Sequence, residues 1–333
     1  MKFKNLSLSA YAFGYGCGFI KDKRENAKGV QNITLDRLNE IAINFELGGV
    51  EIPVDKYFKD QSDEVLVSYI SNLHKQGLRL IYALEKFEHD FFSRIAPIIK
   101  NNQENFVRIK ISNFYGGNRF KEAIYNHDIE TFRREIKKSL DIVDKYGVRI
   151  LVENHQDVVL DDIFNLVDEF GPKRIGVNWD TGNSFPTGET VESFLKKAGH
   201  LIGNVHLKDY RIQSTPNGYI MHRCALGKGV VNFDYLISTL HILYPDMPYT
   251  IELGAMNGRE AMINNELYWS HTKGVSPGER NELTDFIKLH VENNVTISTL
   301  WERGGEPSEI LKAEYAEVAE SIVFIKNIFK KYT

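Results

Sequence analysis

The sequence predicts an α/β fold: a (β/α)8 TIM barrel with an extended segment between the last strand and the last helix. Two observations support this. Short apolar runs alternate with longer segments of helical period, as expected when crossover helices join parallel strands. Several successive apolar runs also end in polar side chains that can bind metals. A barrel gathers such side chains from many strand ends, whereas an open doubly wound sheet concentrates them at one switch point.

Eight strands are predicted from the apolar runs. Their ranges are 6–13, 48–54, 78–84, 106–113, 149–154, 174–180, 202–209 and 249–254. The helices between them carry end signals. Thr34 is expected to cap the helix before the second strand, and Gly48 and Gly49 are expected to end it. Asp128 is expected to cap the helix that Gly147 ends.

Residues 258–310 form a longer segment than is usual between the last strand and the last helix of a barrel. We expect an additional helix here, together with a lid over the barrel or a contact between subunits of a homo-oligomer. Residues 309–331 have the period of a closing amphipathic helix. The whole chain, 1–333, is therefore predicted to be a single barrel domain.

Composition and charge exclude several classes of protein. Hydrophobic residues make up 42% of the chain and the formal net charge is −4, so no general attraction to nucleic acid or to an anionic membrane is expected. No apolar stretch reaches membrane-spanning length. The two cysteines, Cys17 and Cys224, are not a close pair, which argues against a disulfide framework or a thiolate metal site. We expect a cytoplasmic protein.

Four predicted strands end in a side chain that can bind a metal. These are Glu153 in LVENH, Asp180 in VNWDTGN, His206 in NVHLKD and Glu252 in TIELG. The first three are 27 and 26 residues apart, which is close to the length of one βα unit. Each acid alone could instead cap the following helix or pair with a Lys or Arg. As a set, three carboxylates and one imidazole suit Mn²⁺, Mg²⁺, Co²⁺ or Zn²⁺.

These strand ends also carry a family resemblance. The series ENH, DTGN, HLKD and IEL, with LGKGVVNF after the seventh strand, resembles the xylose-isomerase-like barrel superfamily (the sugar phosphate isomerase/epimerase family) over about residues 5 to 255. That group includes sugar isomerases, ketose 3-epimerases, inosose and dehydroshikimate dehydratases, and endonuclease IV. The resemblance implies that Glu153, Asp180, His206 and Glu252 bind one divalent metal ion, with Mn²⁺ preferred. It also implies that the two glutamates move protons on opposite faces of the substrate.

Four further side chains are candidates for the same site. His155 lies two residues beyond Glu153, on the same side of a continuing strand, and is predicted to be a catalytic base, a substrate hydrogen-bond donor or a structural histidine. Lys208 either neutralises developing negative charge on the substrate or forms a salt bridge within the barrel. Arg223, before LGKG, either binds a substrate oxygen or phosphate or is a solvated loop residue. Asn183 either donates to a substrate hydroxyl or closes the TGN turn.

DNA cleavage is the competing activity within the superfamily. Endonuclease IV uses three metals, extra histidines from early strands and an Asp-Arg-His motif before its glycine pair. Here that position reads Met221, His222 and Arg223, and Asn183 stands where that family places a metal-binding histidine. The predicted ends of strands two to four contain no histidine either. A nuclease is therefore not expected.

The expected function is a divalent-metal-dependent isomerase or epimerase of a sugar or related polyol carbonyl compound. A metal bound by carbonyl and hydroxyl oxygens acidifies the C–H bond between them and stabilises an enediolate. Two alternatives remain open. One is a lyase of the inosose dehydratase or 3-keto-glycoside eliminase type, which uses the same enolate to expel a leaving group. The other is a noncatalytic sugar-binding barrel.

Overall fold

The computed structural model describes residues 3–102, 104–115, 122–270, 272, 274–293 and 295–332. Eight parallel strands form the central barrel: β1 (Phe3–Ser9), β2 (Leu47–Pro53), β3 (Arg79–Leu84), β4 (Phe106–Ile109), β5 (Arg149–Glu153), β6 (Ile175–Asp180), β7 (Ile202–Leu207) and β10 (Tyr249–Ile251). Around the closed barrel their order is β1-β10-β7-β6-β5-β4-β3-β2. The predicted fold class is confirmed, because the sheet closes on itself instead of remaining open.

Helices connect the barrel strands and cover the sheet. Their bounds are α1 (Leu35–Asn44), α2 (Val54–Phe58), α3 (Asp63–Lys75), α4 (His89–Asn101), α5 (Glu122–Tyr146), α6 (Leu160–Phe170), α7 (Val191–Ala198), α8 (Phe233–Leu243), α9 (Glu266–Trp269), α10 (Pro277–His290) and α11 (Pro307–Phe329). The last of these confirms the predicted closing helix. None of the described helices is both long enough and apolar enough to cross a bilayer.

The strands are short apolar runs because both of their faces are buried. Every residue of β2 and of β6 is buried, one face of the sheet meeting the helices and the other filling the barrel. Such packing fixes strand positions tightly, and truncating a fully buried leucine such as Leu8 to alanine typically costs about 2–5 kcal/mol. Side chains at the strand ends therefore project from a rigid frame.

Two of the predicted helix signals are confirmed. The Thr34 side chain accepts a hydrogen bond from the backbone N–H of Arg37 at 3.2 Å, capping α1. Gly147 has φ +63° and follows α5 directly. The expectation for Asp128 was wrong, because α5 begins at Glu122 and Asp128 lies inside it.

The expectation for Gly48 and Gly49 was also wrong. Helix α1 ends at Asn44, Glu46 adopts the left-handed conformation with φ 57°, and both glycines lie within β2. The physical reason for glycine here is close packing of neighbouring strands. A Cβ atom at Gly48 would lie 2.1 Å from the carbonyl oxygen of Lys4 on β1.

A second sheet lies outside the barrel and was not anticipated. It contains β8 (Tyr210–Thr215), β9 (Gly218–Arg223) and β11 (Arg259–Ala261), all antiparallel, in the order β11-β9-β8. Thus β8 and β9 form a hairpin after the seventh barrel strand, and the segment 258–310 supplies the third strand. That segment also contains α9 and α10, as expected of an additional helix. Its role as a lid or subunit contact stays a prediction, as does the single-domain assignment.

Candidate metal centre

Four side chains predicted to bind a metal converge at the carboxyl ends of neighbouring barrel strands. Glu153 ends β5, Asp180 ends β6, His206 lies in β7, and Glu252 directly follows β10. One ligand atom from each lies within 4.8 Å of the others. Their relative exposures are 1%, 0%, 0% and 5%. The structure therefore gathers into one buried cluster residues that are far apart in the sequence.

Each of these four residues has one buried polar atom without a hydrogen bond. The atoms are Glu153 Oε2, Asp180 Oδ1, His206 Nδ1 and Glu252 Oε2. His206 Nδ1 lies 3.1 Å from Glu252 Oε2 and 3.9 Å from Glu153 Oε2. Buried polar atoms without hydrogen bonds are costly, and although Arg108 forms an ion pair with Glu153 Oε2, a cation that all four atoms bind would offset that cost. The donor set fits a divalent metal ion.

A fifth residue, Glu51, sets the orientation of the histidine. His206 Nε2 is 2.8 Å from Glu51 Oε2, and Ser9 Oγ donates to Glu51 Oε1 at 3.1 Å. A carboxylate in this position holds the proton on Nε2 and leaves Nδ1 as an acceptor facing the cluster. Without a metal, burial opposes the charged imidazole but Glu51 and Glu252 raise the pKa of His206 to about 10, so Nδ1 is also protonated; an ion bound at Nδ1 would take the place of that proton. Sequence reasoning missed Glu51, although a carboxylate inside the apolar run GGVEIPV was a signal.

Two buried cations neutralise part of the acidic cluster. The guanidinium of Arg108, on β4, forms an ion pair with Glu153 Oε2, and Lys208 Nζ donates to Asp180 Oδ2 and, at 2.9 Å, to Glu252 Oε1. Burial alone would raise the pKa of Glu153, but Arg108 lowers it. Likewise, Lys208 and His206 hold the pKa of Glu252 well below its usual value despite burial. Arg108 was also missed, although a charge inside the strand FVRIKIS was visible.

The charges of this cluster match a divalent ion. Its buried carboxylates are Glu51, Glu153, Asp180 and Glu252, and its buried cations are Arg108 and Lys208. In the state that would bind a metal, with the Nδ1 proton of His206 released and all four acids ionised, two negative charges remain among these side chains. One divalent cation would balance them, and a buried cluster tolerates net charge poorly.

A cavity of about 380 Å³ opens beside the cluster. It is lined by five of the predicted site residues: Glu153, His155, Asn183, Lys208 and Glu252. Asp180 and His206 are fully buried next to it. The volume is sufficient for a small molecule such as a monosaccharide.

His155 belongs to a hydrogen-bonded chain at the cavity wall. Its Nδ1 atom is 3.0 Å from Asp157 Oδ1, and Asp157 in turn accepts hydrogen bonds from Ser112 Oγ and, at 3.1 Å, from the N–H of Phe114. The imidazole also packs edge-on against Tyr115, with ring centroids 5.0 Å apart. A carboxylate on one ring nitrogen orients the other nitrogen for proton transfer.

Asn183 contacts a metal-ligand candidate directly. Its Nδ2 atom donates to Asp180 Oδ2 at 2.6 Å, and its Oδ1 atom lies 3.5 Å from the hydroxyl of Tyr210. Gln156 donates to the same hydroxyl at 3.0 Å. These bonds orient Asp180 and connect it to the cavity wall.

Arg223 is not among the residues that line this cavity. Its guanidinium donates to the carbonyls of Gly254, at 3.0 Å, and Ala12, at 3.3 Å, and to Glu317 Oε2 on α11 at 3.0 Å. The structure therefore does not bring Arg223 together with the other candidates. These contacts connect the loop after β10 to the loop after β1 and to the last helix.

A model of one protein family, described as xylose isomerase-like TIM barrel, matches residues 86–273, which is more than half of the chain. The chain belongs to the xylose isomerase-like TIM-barrel family. The resemblance predicted from the strand-end motifs is thereby confirmed.

Individual relatives are more distant. The uncharacterized protein YihM of Escherichia coli (strain K12) is 28% identical over 108 residues, and this match covers 32% of the present chain and 33% of YihM, about a third of its length.

Three solved structures share the fold, each with a TM-score of 0.50. A xylose isomerase domain protein from Planctomyces limnophilus is 14% identical, with 74% of this chain and 92% of that chain covered. The 3-keto-D-glucoside 4-epimerase YcjR from E. coli is 13% identical, with 82% and 99% covered. A sugar phosphate isomerase/epimerase from Parabacteroides distasonis is 13% identical, with 85% and 96% covered. At these identities the likeness shows the fold alone.

Proposed function

We propose that this protein is a divalent-metal-dependent isomerase or epimerase of a sugar or related polyhydroxy carbonyl compound. One observation carries the proposal. Four buried residues offer ligand atoms within 4.8 Å of one another, and each has a buried polar atom without a hydrogen bond, beside a cavity of about 380 Å³. Buried groups of this kind beside a cavity are typical of a functional site and unusual in a purely structural core.

Glu153, Asp180, His206 and Glu252 would hold the metal. Three carboxylate oxygens and one imidazole nitrogen suit Mn²⁺, our first choice, and also Mg²⁺, Co²⁺ or Zn²⁺. When bound, such an ion polarises a carbonyl and stabilises negative charge on the oxygens of the substrate.

The side chains of the protein supply the proton transfers. Glu153 and Glu252 both line the cavity, and we assign them to remove a proton from the carbon next to the carbonyl and to return one. Lys208 also lines the cavity, where it faces any substrate oxygen that gains negative charge. Because Asp180 and Glu252 hold its ammonium group in place, this charge is positioned before the reaction starts.

The fold neighbours support a sugar as the substrate class. A 3-keto-D-glucoside 4-epimerase and a sugar phosphate isomerase/epimerase share this architecture. This is an analogy between folds, since the same barrel hosts many reactions. The proposal therefore rests mainly on the cluster and the cavity.

The test is proton exchange from carbon. Protein loaded with Mn²⁺ is incubated in D₂O with a panel of ketoses and inososes, and NMR reports deuterium incorporation next to the carbonyl. We expect deuterium exchange or turnover with at least one sugar, and we expect a chelator to abolish this activity. In Glu153→Gln and Glu252→Gln the rate should fall at least about 10²-fold. Glu40→Gln, an exposed change on α1, is the matched control. Binding of a sugar without exchange or turnover would instead indicate a noncatalytic barrel.

A lyase is the second candidate, and His155 favours it. The imidazole, oriented by Asp157, lines the same cavity as Glu153. Expulsion of a leaving group requires an acid that protonates it, and an imidazole can do this. A 3-keto-glycoside would then release its aglycone. If His155→Asn stops release of the aglycone but leaves deuterium exchange intact, the protein is a lyase; if no aglycone is released by the native protein, this candidate fails.

A further inference from the structure

The cavity beside the candidate metal centre carries more positive than negative side chains. Among its described lining residues are five cations, Lys56, Arg108, Lys110, Lys208 and Arg259, and three carboxylates, Glu85, Glu153 and Glu252. The buried acids Glu51, Asp157 and Asp180 behind the wall bring the sum of these side-chain charges to −1. A divalent ion in the cluster then adds two positive charges. The metal-loaded site would therefore carry a net positive charge. Such a charge favours an anionic ligand over a neutral sugar.

Most of these cations have a carboxylate partner within the site. Arg108 pairs with Glu153, Lys110 with Glu85 at 3.1 Å, and Lys208 with Asp180 and Glu252. Among the described residues, no carboxylate forms an ion pair with Lys56 or Arg259. These two side chains supply the uncompensated positive charge.

Arg259 is held in a defined position. It begins β11, where it pairs with Met221 of β9, and the N–H of the preceding Gly258 donates to Glu302 Oε1 at 2.8 Å. Its guanidinium lies over the ring of Tyr115, with Cζ 3.7 Å from the ring centroid, and its Nε atom is buried without a hydrogen bond. A rigid guanidinium with an unused donor matches the oxygens of a carboxylate or a phosphate.

The position of Arg259 indicates which part of a substrate it would contact. The Tyr115 ring under its guanidinium also contacts His155, and His155 lies two residues from Glu153. Arg259 is therefore linked through Tyr115 to His155, on the part of the cavity wall next to Glu153. Lys56 is more exposed and rests over Phe19, with Nζ 3.9 Å from the ring centroid. It contributes positive charge to the cavity but is less rigidly held.

We propose that Arg259 binds an oxyanionic group at the end of the substrate remote from the metal, so that the substrate is a sugar acid or a sugar phosphate. This inference rests on the proposed function, because it assumes that the carbonyl end of a sugar lies at the metal cluster. A guanidinium binds a carboxylate and a phosphate in the same way. The experiment distinguishes these two anions.

The test compares three ligands that differ only at C6. D-fructose, D-fructuronate and D-fructose 6-phosphate are titrated into the Mn²⁺-loaded protein by calorimetry. We expect at least one of the two acids to bind tenfold or more tightly than fructose, and the better acid identifies the anion. In Arg259→Gln this preference should disappear, because affinity for the acid falls at least tenfold more than affinity for fructose. Arg211→Gln, a change of the same charge in the same sheet but outside the cavity, should keep the preference.

Three results would overturn the inference. In the first, the native protein binds the three ligands equally or binds none of them. In the second, it prefers fructose. In the third, Arg259→Gln weakens the binding of fructose and of the acids equally. Arg259→Lys, which keeps the charge, should retain part of the preference, and circular dichroism checks that each variant folds. Acid binding that depends on Arg259, without deuterium exchange from any sugar, would reject the proposed function and leave the anion site standing.

Discussion

Glu51 determines which nitrogen of His206 faces the metal cluster. Because its carboxylate lies 2.8 Å from Nε2, the proton stays on that atom and Nδ1 is the acceptor. Without this contact the ring could rotate or exchange its proton between the two nitrogens. The orientation of one ligand therefore depends on a residue that would not itself touch the metal.

We predict that Glu51→Gln weakens Mn²⁺ binding about 10- to 100-fold, as is typical when the partner of a metal-binding histidine is removed. The amide keeps the size of the side chain but loses the charge that fixes the imidazole proton. Calorimetric titration of metal-free protein measures the affinity. Ser9→Ala, which removes only the hydroxyl that donates to Glu51, should have a smaller effect. Unchanged affinity in Glu51→Gln would contradict the orienting role.

The sequence alone predicted the four candidate ligands but not their partners. Glu153, Asp180, His206 and Glu252 were recognisable because each ends an apolar run of strand length. Glu51 and Arg108 were not, since their partners lie 155 and 45 positions away in the chain. Which buried charges meet across a barrel depends on strand register and tilt, which one sequence does not reveal.

The same distinction holds for the secondary structure elements. All eight barrel strands were located, because burial on both faces gives continuous apolar runs. The hairpin β8–β9 was missed, although Pro216, Asn217 and Gly218 are typical turn residues. Its strands have six residues each but are partly polar, since alternate residues of β8 are less buried, so they lack the continuous apolar run of the barrel strands.

Gly218, at the turn of this hairpin, should not tolerate a side chain. It has φ +152°, and a Cβ atom there would lie 2.2 Å from the carbonyl oxygen of Ala261 on β11. We predict that Gly218→Ala lowers the free energy of unfolding by about 1–3 kcal/mol, measured by urea denaturation. Gly304→Ala, at φ +69° with open space around the new methyl group, controls for backbone strain alone. Equal losses in the two variants would exclude the predicted clash.

Glu189, just before α7, should make stability depend on pH. Burial raises the pKa of its carboxyl to about 8, well above 4.5, the value for an exposed group. The folded protein therefore binds a proton that the unfolded chain releases between these values. The stabilisation is complete below about pH 4.5 and is lost as pH rises through 8.

We predict that Glu189→Gln removes this contribution, because glutamine stays neutral. The free energy of unfolding of the variant relative to the native protein should increase from pH 5 to pH 8, as measured by urea denaturation at each pH. Other titrating groups are common to both proteins and cancel in the difference. Parallel pH profiles would show that Glu189 ionises as easily in the folded state as in the unfolded chain.

For the whole molecule, metal binding should stabilise the fold. The four ligand candidates lie on or directly after the last four barrel strands, so an ion that binds them all favours the closed barrel over the unfolded chain. At a metal concentration of 100 times Kd the gain is about 2.7 kcal/mol. We predict that Mn²⁺ raises the Tm of chelator-treated protein, with little effect on Asp180→Asn. A Tm that does not respond to any of the four candidate metals would argue against the metal centre.

Closure of the barrel was predictable, whereas the arrangement around its mouth was not. Metal-capable residues at the ends of successive strands distinguished a barrel from an open sheet. The second sheet depends on pairing between segments far apart in the chain, such as Ile220 of β9 with Glu260 of β11, whereas α10 fits the additional helix expected in 258–310. Whether the segment 258–310 also contacts another subunit stays a prediction.

The last helix reaches back to the first loop. Glu314, buried in α11, accepts hydrogen bonds from the N–H groups of Tyr15 and Gly16 at 2.9 and 2.8 Å. In a nascent chain from which α11 has not yet emerged, the loop after β1 would therefore lack these two hydrogen bonds, although Arg223 and nearby residues could already contact it. Such a chain would already carry every candidate metal ligand, but the segment beside Gly14, which lines the cavity, would lack its contact with Glu314.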